Sequence, residues 1–112
     1  MDQLVNFLYG LRGDVFKLLP LREASMKGED KHVGEYIEVL LINLKGAMGT
    51  YPVLNKQKQF LYVVNNLQFL LENIETVRFN VWRRIVLNAT SNVNSLFIRY
   101  GGTEPHGRRR KR

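Results

Sequence analysis

The sequence predicts an all-α fold, either a four-helix antiparallel bundle or a compact irregular helical array. Apolar residues recur at steps of three and four through four successive segments. Strand-like runs are confined to residues 77–81 and 97–100, and no hairpin signal joins them. With 112 residues, 45% of them hydrophobic and 24% charged, the chain can bury one modest core.

Asp2 is placed to cap the first helix, whose apolar face is Leu4, Leu8, Leu11, Val15 and Leu18, widened by Phe7, Phe16 and Leu19. Gly10 and Gly13 lower helix propensity there, and their spacing suits a close helix contact. Pro20 is expected to end this helix, and the charged, aperiodic residues 22–32 to form a loop. The second helix has the stripe Val33, Ile37, Leu40, Leu44 and Met48, flanked by Tyr36 and Leu41. Glu35 and Glu38 near its start and Lys45 near its end complement the helix dipole. Gly46 and Gly49 mark its exit. Pro52 suits the start of a third helix, with the stripe Leu54, Leu61, Val64, Leu67 and Leu71. Phe60, Val63 and Leu70 lie alongside it. Residues 73–76 read as a break, with Thr76 as the cap of a fourth helix. The fourth stripe is Trp82, Ile85, Ala89, Val93, Leu96 and Tyr100, ending at Gly101-Gly102. A helical domain over 1–102 and a disordered tail over 103–112 follow, since the tail holds almost nothing apolar.

The charge is unevenly placed. Arg108, Arg109, Arg110, Lys111 and Arg112 are five of 17 basic residues in a chain of net charge +7, and without them the net charge is +2. Five adjacent cations attract polyanions: DNA, RNA, an acidic partner or an anionic surface. A solubility tail has the same composition.

Catalytic chemistry finds little material. There are no cysteines, which removes disulfides, thiolate metal sites and a cysteine nucleophile. Glu29 and His32 have Glu-x-x-His spacing, but one such pair in a loop cannot assemble a metal site, and His106 lies in the tail. Ser25, Ser91 and Ser95 have no evident base. Glu35, Glu38, Glu72 and Glu75 sit near helix ends, where capping and solubility account for them. Residues 45–50 have the residue types of a phosphate-binding loop in the wrong order, with the lysine before the glycines. The expectation is no enzyme, no metal and no cofactor.

The polar face of the fourth helix is more suggestive. Asn80, Arg84, Asn88, Ser91, Ser95 and Arg99 fall at helical spacing, with Arg83 and Asn94 beside them. Arginine and asparagine can bond base edges bidentately, and serine suits phosphate. An ordinary solvated face would read the same way. Trp82 could stack on a base, yet it lies on the apolar stripe, which favours burial. Lys56 and Lys58 could extend a basic surface or be plain solvated lysines.

No apolar run, that at residues 39–42 included, approaches the length of a membrane span, and the start lacks the basic region of a signal peptide. A cytoplasmic protein is expected, without membrane contact. The missing cysteines and abundant asparagine have the texture of short helical accessory proteins of viruses and mobile elements. The leading expectation is a non-enzymatic accessory protein that contacts nucleic acid through Arg83, Arg84, Asn88, Arg99 and the tail. The alternative is a protein-interaction module, an adaptor, assembly factor or inhibitor, using an exposed apolar helix surface. Tyr9 and Phe16, off the main stripe of the first helix, are its candidates, and self-association could use the same surface.

Overall fold

A computed structural model describes residues 2–29 and 31–103. The described residues form α1 (Gln3–Phe16), α2 (Leu18–Met26), α3 (Val33–Thr50), a 3₁₀ turn (Pro52–Lys56), α4 (Lys58–Glu72) and α5 (Phe79–Arg99). The tail residues Arg108, Arg109, Arg110, Lys111 and Arg112 lie outside the described residues, as does the expected disorder of the tail.

Local chemistry sets the boundaries. Asp2 caps α1 as expected, its Oδ1 accepting from the Leu4 amide at 2.9 Å. Pro20 does not end the helical path. It interrupts α1 three residues upstream, at Lys17, and then occupies the first turn of α2, where its missing N–H costs nothing. The loop expected from residue 22 therefore begins only after Met26, and Arg22 is buried on α2. Gly46 and Gly49 lie inside α3 rather than beyond it. Pro52 opens the 3₁₀ turn, and α4 starts only at Lys58. Thr76 caps nothing. Its hydroxyl donates to the Asn73 carbonyl, and α5 begins after Arg78.

The four long helices run up, down, up and down. Tyr9 meets Phe97 and the Trp82 indole donates to the Leu18 carbonyl, so α1 and α5 are antiparallel. Gly34 at the start of α3 faces Leu71 and Ile74 at the end of α4 and beyond, and Gln57 bonds Arg99 across the α4–α5 pair. The result is an antiparallel bundle with α5 as its hub, packed on α1, α2 and α4. Its centre holds Leu8, Ile37, Leu44, Phe60, Leu67, Trp82 and Leu96, all fully buried. Trp82 is buried as its place on the stripe predicts. On α4 the buried set is Phe60, Val63, Leu67 and Leu70, so the true stripe lies one residue from the expected one and Leu61 is exposed. On α5, Val86 and Phe97 take the buried places expected for Ile85 and Tyr100, which are half-buried.

The fourth seam, between α1 and α3, is open. Here a groove of about 470 Å³ has Leu11, Leu40 and Ala47 among its walls. Side chains tie its two ends. Phe7 and Tyr51 approach with ring centroids 6.0 Å apart, and the Tyr36 hydroxyl donates to the Asp14 carbonyl at 2.6 Å. Gly10 lines this groove and Gly13 is exposed. A Cβ on either would meet nothing within 4 Å, so the close contact expected of them is not formed.

Burial, and then the nearby Asp14 carboxylate, raise the Tyr36 phenol above its ordinary value. A folded-state value above the unfolded one stabilises the fold below about pH 10 and loses that contribution as pH rises through the folded value. Tyr36→Phe, which loses the hydrogen bond to the Asp14 carbonyl, is expected to cost about 1 kcal/mol at neutral pH. It should also flatten the alkaline fall of the melting temperature, measured by circular dichroism across about pH 8 to 11.

Gly101 and Gly102 end α5 as predicted. Gly101 has φ +112°, its N–H bonds the Ile98 carbonyl, and the Gly102 N–H bonds the Phe97 carbonyl at 2.8 Å, which together make a Schellman cap. A Cβ at Gly102 would overlap the Phe97 ring. Gly102→Ala is expected to lower stability by about 1–3 kcal/mol in urea unfolding, through displacement of Phe97.

Candidate nucleic-acid interface

The site is built on α5 and its seam with α4. Between residues 76 and 103 there is no aspartate or glutamate, so α5 carries Arg83, Arg84 and Arg99 with no acidic residue of its own. The charge divides with the fold. Residues 51–103 hold six basic and two acidic residues, whereas residues 1–50 hold six basic and seven acidic. The near balance of the chain without its tail therefore conceals a basic α4–α5 half.

The core side of α5 fixes where its polar residues go. With Trp82, Ala89, Val93 and Leu96 buried, a rotation of about 100° per residue turns Arg84, Ser91 and Ser95 directly outward. All three are exposed, as are Asn80, Arg83, Asn88 and Arg99. Asn88 lies on the α4 side. It lines an open groove of about 380 Å³ together with Asn92, Lys58, Gln59 and Tyr62. Arg99 is at the same seam, its Nη1 donating to Gln57 Oε1 at 2.7 Å. Arg83 and Asn94 turn the other way, towards α1 and α2. Asn94 is already engaged there, accepting from Arg12 Nη1.

Of the folded residues expected to touch nucleic acid, then, Arg84, Asn88 and Arg99 share one face, and Arg83 stands apart from them. The sequence reading missed Asn92 and Tyr62 and left Lys58 as an ordinary surface lysine. For Asn92 the acid-free stretch was the available signal, since it marks the whole of α5, whereas Lys58 and Tyr62 lie on α4, outside that stretch.

The groove offers a cation at Lys58, amides at Gln59, Asn88 and Asn92, and the half-exposed Tyr62 ring. Such a set can hold phosphate, bond base edges and stack on a base. It offers no nucleophile activated by a neighbouring base. Glu29 and His32 do not form a ligand pair: Glu29 lies 3.3 Å from Lys31, and His32 Nδ1 lies 3.5 Å from Glu35. Among the described residues no cluster of three or more histidine and acidic side chains could hold a metal ion, and no helix is long and apolar enough to cross a membrane. Comparison with known proteins adds nothing to this geometry: no protein-family model, curated protein or solved structure matches the chain.

Proposed function

We propose that this is a non-enzymatic, cytoplasmic accessory protein that binds nucleic acid, single strands in preference to duplex, on its α4–α5 face. The observation that carries this reading is the acid-free α5, whose outward face presents Arg84, Asn88, Ser91, Ser95 and Arg99 with no carboxylate of its own to compete for them. Tyr62 and the amides of the groove favour an unpaired strand, because every base has a face on which an aromatic ring can stack. The cations at 108–112 supply further phosphate contacts without sequence preference.

The test is anisotropy titration of single-stranded RNA, single-stranded DNA and duplex DNA across a salt series. The full chain is compared with a chain ending at Gly102. Loss of the five tail cations should reduce the salt slope on duplex DNA by about 4 to 5. The shorter chain should still bind single strands at about 0.1 M salt. If only the full chain binds, the tail is an electrostatic tether and the α4–α5 face is no interface. If neither binds, the nucleic-acid reading fails altogether.

A second reading has its own observation. α3 exposes apolar residues on the side away from the core, which suits a protein partner.

A further inference from the structure

α3 is apolar on two sides. Its core stripe is Val33, Ile37, Leu40, Leu41, Leu44 and Ala47. On the opposite side lie Val39, Ile42, Gly46 and Gly49, at steps of three, four and three. Ile42 is 68% exposed and Val39 56%, the two largest values among the exposed large apolar residues. A β-branched pair on the water side of a helix has no local purpose, since such residues are mediocre helix formers and gain only by burial. The glycines on the same stripe have open space above them and leave room for a second helix to approach closely.

We infer that this face of α3 is a self-association surface, on which α3 of a second copy of the chain docks antiparallel about a two-fold axis near Ile42. The stripe is complementary to itself only in that arrangement. Val39 and Gly46 lie on one flank, at nearly equal distances along the helix on either side of Ile42. Glu38 and Lys45 lie on the other flank, again on either side of Ile42, and both are exposed. A two-fold across antiparallel helices keeps each flank on its own side and exchanges the ends. It therefore sets Val39 of one copy over Gly46 of the other, Ile42 on Ile42, and Glu38 beside Lys45 twice over. A parallel pairing would set like residues at the same height, with neither bulk on glycine nor acid on base. This inference goes beyond the nucleic-acid reading and does not depend on it, because α3 contributes nothing to the α4–α5 groove.

Sedimentation equilibrium of the nuclease-treated full chain over a concentration series tests the pairing. The expected result is a monomer–dimer equilibrium. Ile42→Lys should raise its dissociation constant about a hundredfold, since each dimer loses two isoleucine contacts, with the far-ultraviolet circular dichroism unchanged. Glu38→Lys and Lys45→Glu should each weaken the dimer, and the double exchange should recover most of the loss. A chain that stays monomeric throughout overturns the inference. So does a dimer that Ile42→Lys leaves intact, and so does a double exchange no better than its single variants.

Discussion

Trp82→Ala is expected to bring the protein to the edge of unfolding. The Trp82 side chain is fully buried and is the largest in the core. Its indole N–H donates to the Leu18 carbonyl at 3.0 Å, at the bend where α1 gives way to α2. The Arg22 guanidinium lies 5.6 Å from the ring centre, and among the described residues Arg22 is the one charged side chain that is buried. Truncation of a core tryptophan costs about 3–5 kcal/mol through lost transfer energy and the cavity left behind. This variant also strips the cover from Arg22 and removes the tie between α2 and α5. Domains of this kind are stable by about 5–15 kcal/mol, so the loss is a large share of the whole. Urea unfolding followed by circular dichroism should show the midpoint falling steeply, with Trp82→Phe intermediate because it keeps an aromatic ring and much of the volume but not the N–H. A Trp82→Ala midpoint close to that of the parent would mean that α2 is not anchored to α5 through this residue.

How far the fold could be read from the residues depended on how well each helix separates its two faces. α5 has one strongly polar and one apolar side, so its outward residues Arg84, Ser91 and Ser95 were legible. α4 is apolar at 60, 61, 63, 64, 67, 69, 70 and 71, and a stripe can be drawn through most of these in two phases. Only packing against α3 and α5 selects Phe60 over Leu61. Pro20 was misread because proline stops a helix that precedes it and starts one that follows, and the residue alone does not say which neighbour is in register. The site shows the same limit. Asn88 and Asn94 are the same residue type on the same helix, yet one opens onto the α4 groove and the other is held by Arg12 of α1. Which neighbour an asparagine meets is a fact of topology, so spacing along one helix could not separate them. The exposed Tyr9 was legible as lying off the stripe, but its tilted ring contact with Phe97, with Arg12 over both rings, makes it part of the α1–α5 seam and a weaker docking candidate than Ile42.

Reversing charge at two positions of the α4–α5 face should reduce single-strand affinity by about a hundredfold at 0.1 M salt. The estimate follows from counterion release. Each phosphate contact on a single strand steepens the salt dependence by about 0.7 in the logarithm, so two contacts are worth roughly 25-fold at 0.1 M relative to 1 M, and added repulsion raises the loss. Lys58→Glu with Arg84→Glu is the informative pair. Both residues are exposed and neither supports the core. A glutamate at the first residue of α4 even suits the positive end of that helix. Lys17→Glu with Lys27→Glu changes the net charge equally at exposed positions on the α1–α2 side and serves as the control. If binding is set by the whole molecule's charge, the two doubles will fall together, and the α4–α5 face loses its special standing. If the face is the interface, the control keeps most of its affinity while the first pair loses affinity and about 1.4 of the salt slope. The comparison is decisive because the tail is common to both variants. Its contribution cancels, and the difference reports only what the folded helices do.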